Sequence, residues 1–550
     1  ICLFTTSPFK MAVHDEVAFS GGSQTPSESK GELEVGMIEH KSAAPTAGNH
    51  DGAPFDTGAT KRLIRKIDWT LIPFLALLYL LSFLDRTNIG NARLAGLEKS
   101  LGMDPKGLDY NIALSVFFPW YVAAEIPSNL AMKRFRPSVW IPAIMVAWAV
   151  CCTLMGLVHN YAGLLACRMA LGIAEGGLFP GITYYITLWY RRHECGLRMA
   201  IFFSAATAAG AFGGLLARGI VELDGRANLG GWAWIFIIEG IITFIVAIAA
   251  FFIMNDYPDT AKFLTATEKK EVMHRLEEDR SSLADEFNLK YFWDAVKDWK
   301  IWVHMFITIG IYTPLYSFSL FLPTIISSLG FTNDKTAQLM TVPPYIAACI
   351  CCIGGGYLAD RHGQRGIYMI FFNCVAIFGF ILQIASSNNA LKYAGTFFAA
   401  MGIYPNVPQG VAWNGNNIGG STKRGVGIGK FYRLYPAGPF RTARNWGTHY
   451  STKLTWFSPP AMHVGFGNLG GVIAGFLYRA KDKPMYYPGH GTLIATETMS
   501  LVLCIFMTLY LRRENARRDR EHKAPSEYTT EERLLEREKG DSASYFRYTI

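Results

Sequence analysis

The run Arg168-Met-Ala-Leu-Gly172-Ile-Ala-Glu175-Gly-Gly-Leu-Phe-Pro180 lies inside an otherwise apolar stretch from Tyr161 to Tyr190. A stretch of this length and character predicts a membrane helix. It carries one cation and one anion in its middle. Two helical turns separate Arg168 from Glu175, so they share a face about 10 Å apart. Gly172 lies between them and admits another group closely. Each charge at mid-bilayer costs roughly 2.5–3.5 kcal/mol on insertion scales, so both should face a protein interior or a watery cavity. One reading is a buried structural ion pair that locks helices together. The other is a solute pathway with a titratable carboxylate beside a fixed cation. Intramembrane ionisable residues favour the second.

The surrounding chain fits that reading. Its 550 residues are 51% hydrophobic and 17% charged, too apolar for a soluble protein of this size. The formal charge of +9 comes from Lys and Arg in short clusters between apolar runs. That is the topology signal of a membrane protein and gives no reason to expect nucleic acid as a partner. Most of the ten cysteines sit inside apolar runs. No Cys/His spacing suggests zinc, no disulfide framework is apparent, and no motif calls for a cofactor. The cysteines read as small apolar packing residues. No nucleophile–base or metal-ligand constellation suggests an enzyme.

The first methionine is Met11, and residues 1–10 are expected to be translated upstream sequence, which peptide mapping can check. Residues 1–60 should form a disordered cytoplasmic tail, given their Gly, Ser, Thr, Ala and acids without apolar periodicity. Lys61, Arg62, Arg65 and Lys66 make a basic collar before the first span and place the N-terminus inside. Six spans are predicted in 61–258, at about 68–86, 110–132, 138–158, 161–190, 197–220 and 232–254. Residues 259–299 form a cytoplasmic linker with short amphipathic helices. Six more spans are predicted in 300–513, at about 300–327, 337–359, 366–387, 391–414, 462–480 and 491–511. Residues 514–550 form a cytoplasmic tail. The expected fold is all-α, twelve transmembrane helices in two six-helix bundles with both termini cytoplasmic. Such duplicated transporters hold substrate near the midplane between the halves and rock around it.

Gly356-Tyr-Leu-Ala-Asp360-Arg361-His-Gly363-Gln-Arg365 follows the eighth span. It resembles the Gly-x-x-x-Asp-Arg-x-Gly-x-Arg loop of the major facilitator superfamily. A tight glycine turn there presents an acid to a neighbouring helix end and basic residues to the lipid surface. A contact that forms in one conformation and breaks in the other is a latch; plain topology-setting charge is the alternative. The loop after the second span, Lys133-Arg134-Phe-Arg136, lacks the acid.

Leu84-Asp85-Arg86-Thr-Asn88-Ile-Gly-Asn91 closes the first span. Together with Arg168-x-x-x-Gly172-x-x-Glu175, Trp189-Tyr-Arg-Arg, Pro258-Asp-Thr-Ala-Lys-Phe-Leu264, Asn406-Val-Pro-Gln409-Gly-Val-Ala-Trp413-Asn414 and Phe546-Arg-Tyr-Thr, it resembles the fungal anion:cation symporter family. That family includes allantoate, nicotinate and pantothenate permeases. The resemblance covers nearly everything from residue 61 onward. It implies a proton-coupled importer of a small organic anion, a nicotinate- or allantoate-like carboxylate, at the plasma membrane and monomeric. It implies that Arg86 meets the substrate carboxylate, which suits a forked permanent cation. An interfacial charge at a helix end is the alternative for Arg86. The resemblance further implies that Glu175 carries the proton, with Arg168 tuning it. Glu125 of the second span is a second candidate proton site or a structural partner for an arginine. Asn88, Tyr316, Asn406, Trp413 and Asn414 are candidate substrate-binding residues, although membrane aromatics also serve as packing or interface anchors. Gly356, Asp360, Arg361, Gly363 and Arg365 are the candidate gating loop. Facilitative or efflux transport, which would be insensitive to a protonophore, and a non-transporting nutrient sensor are the alternatives.

Residues 430–461 break the pattern: they are basic, irregular and free of acids. Joining Ile428 through one Ala to Met462 restores the run Arg-Gly-Val-Gly-Ile-Ala-Met found in relatives of that family. The codons for Gly-Lys-Phe at 429–431 permit a splice donor, and those for Pro-Ala at 460–461 an acceptor. A retained intron of 32 codons is the expectation, and transcript reads crossing the segment in all mature message would refute it.

Overall fold

The computed structural model describes residues 57–104, 107–191, 194–281, 297–329, 334–417, 459–483 and 485–521, with 529, 532, 544 and 546–550. Residues 1–56 of the expected N-terminal tail, the later part of the linker and nearly all of 430–461 lie outside the described residues; the tail's last four residues, 57–60, are instead the first turn of a helix, because the basic collar that follows continues it into the first span.

Backbone in hydrocarbon must satisfy its own hydrogen bonds, so the long apolar runs fold as helices. The first half holds α1 (Thr57–Leu94), α2 (Leu97–Ser100), α3 (Asp109–Ser115), α4 (Phe117–Arg134), α5 (Pro137–Met155), α6 (Tyr161–Glu175), α7 (Leu178–Trp189), α8 (Cys195–Ile220) and α9 (Gly231–Ile253). The linker carries α10 (Ala266–Ser281). The second half holds α11 (Trp299–Ser328), α12 (Asp334–Leu339), α13 (Val342–His362), α14 (Gly366–Ala385), α15 (Asn389–Asn417), α16 (Pro459–Asn468), α17 (Gly470–Gly475) and α18 (Tyr487–Glu521). No strand occurs among the described residues.

Nine helical stretches among the described residues are long and apolar enough to cross a membrane, at the first, third to ninth and twelfth predicted positions. Helices occupy the other three positions as well. There α3 and α4 meet end to end, α15 is rich in asparagine, and α16 and α17 divide at Leu469. The outer surface of the bundle is oily: Phe252 is 86% exposed and Ile350 68%, a lipid-facing pattern, while the charged residues of the spans are inside.

The sequence predicts one helix over 161–190, whereas α6 ends at Glu175 and α7 begins at Leu178. The consecutive Gly176 and Gly177 weaken the helix there. Asn160 starts α6 by accepting the Gly163 amide. Gly172 faces α4 so closely that a Cβ would stand 2.5 Å from the Phe117 carbonyl oxygen. The last helix runs to Glu521, about ten residues beyond its predicted end at 511.

The linker straps the first half. Lys66 of the basic collar pairs with Glu268 of α10 at 2.8 Å, Thr60 donates to Glu271, and Arg275 pairs with Glu194 before α8. The halves meet where α1 packs on α11, α3 and α4 on α17 and α16, and α8 on α13.

Candidate functional site

Ser82 and Arg86 lie one turn apart on α1 and point at the same carboxylate. Ser82 Oγ and Arg86 Nη2 both donate to Glu175 Oε1, each at 2.5 Å. The pair is sealed, with side chains 4% and 0% exposed. Arg86 Nη1 donates to the Tyr316 hydroxyl of α11 at 3.2 Å. Tyr316 donates to Asn468 Oδ1 at 2.5 Å, and Asn468 Nδ2 donates to Glu125 Oε2 at 3.4 Å. The chain of bonds thus runs from α6 to α1, crosses to α11 and α16 in the second half, and returns to α4.

Aromatic rings enclose the guanidinium: Tyr121 at 4.9 Å, Phe117 at 5.3 Å, Tyr316 at 5.7 Å and Phe83 at 6.0 Å. Such desolvated contacts are worth up to about 2 kcal/mol each. By excluding water they also strengthen every charge interaction inside the ring. Arg168 approaches the same Phe117 ring at 5.2 Å. Its Nε donates to the Ala113 carbonyl at 3.2 Å, and both terminal nitrogens are buried without a partner among the described residues. Glu175 is therefore paired with Arg86 of another helix. The guanidinium of Arg168, on its own helix, keeps donors free.

An adjacent face of α1 holds a second acid. Asp85 accepts from Trp148 Nε1 at 2.6 Å and from Thr243 Oγ1 at 3.2 Å, with the Cys152 thiol at 3.5 Å. Glu239 of α9 is buried with neither carboxyl oxygen partnered among the described residues. Sequence patterns alone do not single out Ser82 or Asn468. Glu239 is also absent from the sequence candidates but is findable, since it is an acid inside an apolar run, the same signal that marks Glu175.

Among the other candidate residues, Asn88 is buried on α1 with neither side-chain amide atom partnered among the described residues. Asn406 lies inside the second half, donating to Asn373 Oδ1 at 3.1 Å. Trp413 and Asn414 are buried further along α15, and the Trp413 indole donates to the Thr549 carbonyl at 2.9 Å. These three do not join the Arg86 chain of bonds.

The loop residues cluster at one end of α13. Gly363 has φ 63°, the left-handed conformation that ends a helix without a Cβ penalty. It folds Arg365 back to pair with Asp360. Asp360 also reaches across to the other half: a Cβ on Gly196, in the first turn of α8, would come 2.5 Å from Asp360 Oδ1. A carboxylate at a helix N-terminus is favoured by the exposed amides there. Gly356 is buried where α13 crosses α8, and Arg361 is exposed.

The network crosses between halves at Arg86–Tyr316, and Asn468 carries it back to Glu125. Replacing Asn468 with Leu removes two hydrogen bonds of about 1 kcal/mol each, so transport should fall roughly tenfold or more. Uptake normalised to surface-labelled protein checks this; unchanged uptake would make the bridge incidental. Asp360→Asn should lower the maximal rate several-fold and leave KM unchanged, because the residue touches the helix end and lies outside the central cluster.

Two helical halves around a buried charged centre, with an oily exterior, define a membrane transport protein. The chain belongs to the Major Facilitator Superfamily, which it matches over residues 75–432. The MFS-type transporter cnsO of Penicillium expansum is 32% identical over 547 residues, covering 96% of this chain and 98% of its own. An uncharacterized transporter of Schizosaccharomyces pombe is 33% identical over 490 residues, covering 89% of this chain and 90% of its own. The major facilitator-type transporter hxnP of Emericella nidulans is 30% identical over 481 residues, covering 85% and 89%. Among solved structures, the chain resembles the partially occluded inward-open xylose transporter XylE from E. coli, with TM-score 0.56 and 10% identity over 80% of this chain and 97% of that one. It also resembles a bacterial homolog of the human lysosomal transporter Spinster in an inward-facing, occupied conformation, with TM-score 0.55 and 14% identity over 80% and 96%. Both likenesses concern the fold.

Proposed function

We propose that this protein is a twelve-span, proton-coupled importer of a small organic anion, of the anion:cation symporter kind, working by alternating access at the plasma membrane with both termini cytoplasmic. One observation carries the reading: Glu175 and Arg86 are bound to each other at the place where the halves meet. A carboxylate substrate and Glu175 are chemically alike, so they compete for one guanidinium. Protonating Glu175 ends its claim and frees Arg86 for the substrate. A forked cation suits that exchange, because it can change carboxylates while keeping its bond to Tyr316.

The charge balance supports proton coupling. Among the described residues of α1 to α9, the buried acids are Asp85, Glu125, Glu175 and Glu239, against the buried arginines Arg86 and Arg168. An unpaired buried carboxylate is costly, and binding a proton removes the cost. In the outward state the external acid would protonate Glu175 and the anion would bind Arg86. The halves would close, then open inward. Proton loss at the higher inner pH would return Glu175 to Arg86 and eject the anion. The free donors of Arg168 add positive potential beside the same ring.

The test is uptake of labelled nicotinate into cells expressing the chain with 430–461 removed and Gly429→Ala, and the chain as it stands. Uptake would be run at acid and neutral external pH, with and without a protonophore. Acid-stimulated, protonophore-sensitive uptake is expected. Protonophore-insensitive uptake would overturn proton coupling. No uptake by protein shown at the surface would exclude nicotinate and move the assay to allantoate, pantothenate and dipeptides.

A further inference from the structure

Residues 546–550, Phe-Arg-Tyr-Thr-Ile, are docked against the end of the second half that carries the Asp360 loop, and side chains hold their backbone. Asn515 Oδ1 accepts from the Tyr548 amide and Asn515 Nδ2 donates to the Tyr548 carbonyl, both at 2.9 Å. Asn417 treats Thr549 the same way, at 2.7 Å and 2.9 Å, and Trp413 adds a bond to the same carbonyl. The Arg365 amide donates to the Ile550 carbonyl at 2.6 Å, and Arg518 Nη1 donates to the Phe546 carbonyl at 3.0 Å. A side-chain amide that pairs with both the N–H and the C=O of one residue offers what a neighbouring strand offers in strand-addition recognition.

One side chain is read as well. Tyr548 is 5% exposed, its ring lying 4.8 Å from Lys300 Nζ and 4.7 Å from the Arg518 guanidinium. Its hydroxyl accepts from Lys300 at 2.8 Å and from Arg518 at 3.2 Å. Arg547 pairs with Asp519 at 2.7 Å. The anchors come from α11, the loop before α14, α15 and α18, all in the second half.

We propose that Lys300, Arg365, Trp413, Asn417, Asn515 and Arg518 form a recognition groove for an extended peptide of the pattern Phe-Arg-Tyr-Thr, filled in cis by residues 546–550. Two asparagine clamps fix the backbone, and the Lys300–Arg518 slot selects an aromatic hydroxyl. The tether from the end of α18, residues 522–545, is 24 residues long. A short tether holds its end at roughly millimolar effective concentration, enough to keep even a weak groove filled. Arg365 binds the segment through its backbone and Asp360 through its side chain, so the filled groove braces the loop that touches α8.

The test uses the full chain and a chain ending at Tyr545, both purified and shown monodisperse. The probe is a fluorescent synthetic peptide of residues 544–550, followed by anisotropy. The shortened protein should bind it saturably, and the full chain about 30-fold or more weakly, because its own segment competes at high effective concentration. Asn417→Ala with Asn515→Ala in the shortened protein should weaken binding about tenfold or more. No saturable binding, equal binding by both proteins, or indifference to the asparagine changes would each overturn the proposal. If the shortened protein is not monodisperse, a full-length Asn417→Cys/Thr549→Cys variant takes its place. A short bifunctional reagent should then cross-link within one copy in membranes; absence of the link, or a link between differently tagged copies, would overturn the proposal.

Discussion

Glu175→Gln is expected to leave anion binding in place and to abolish its dependence on pH. In the native protein Glu175 holds Arg86 directly. On the proposed reading, a substrate carboxylate must displace it unless a proton has already ended its claim on the guanidinium. Apparent affinity for the anion should therefore rise as external pH falls. Glutamine cannot ionise, so it never competes for the guanidinium as a charge, and it keeps the shape and a carbonyl acceptor for Ser82. Binding to purified protein should become as tight at neutral pH as the native protein's is in acid, with a flat profile. Acid-stimulated accumulation in cells should be lost, since the proton no longer travels. A native pH profile in the variant would remove Glu175 from the coupling step.

Arg86→Lys is expected to abolish transport almost as fully as Arg86→Ala. Arg86 donates through one terminal nitrogen to Glu175 and through the other to Tyr316, and four aromatic rings surround its plane. An ammonium is a compact, strongly hydrated point charge and cannot serve both partners in that fixed fork. Truncating one member of a buried charge pair costs about 2–5 kcal/mol, which corresponds to losses of about 30-fold to several thousand-fold. The alanine variant also leaves Glu175 buried without its cation, so its surface level must be measured beside its uptake. Substantial uptake by the lysine variant would show that charge alone suffices there and that the fork is not used.

The helices were legible because their signal is local. Apolar runs, breaking glycines and basic clusters each act within a few residues, so span positions fell within a few residues of the helices observed for most of the chain. The acidic loop was legible for the same reason: Gly363 needs its left-handed turn and Asp360 sits one turn before it. Misplaced ends had local causes too. The double glycine split the helix at 161–190, and the polar run after 511 continued α18 because its charges pair along the helix, Glu514 with Arg517 and Arg518.

The partners of the buried charges were a different matter. From the chain alone, Arg168 is the natural neighbour of Glu175, two turns away on one helix. The fold gives Glu175 to Arg86 and leaves Arg168 against Phe117. It joins Glu125 to Tyr316 through Asn468, a residue more than 300 positions along the chain from Glu125. It also takes Trp413 for the Phe546–Ile550 segment. The sequence by itself determined that these charges are inside a membrane bundle, because the cost of exposing them to lipid depends only on the apolar run around them. Which charge meets which was decided by the tertiary structure alone, because helical periodicity orders neighbours along one helix and says nothing about the rotation and depth at which two helices pack.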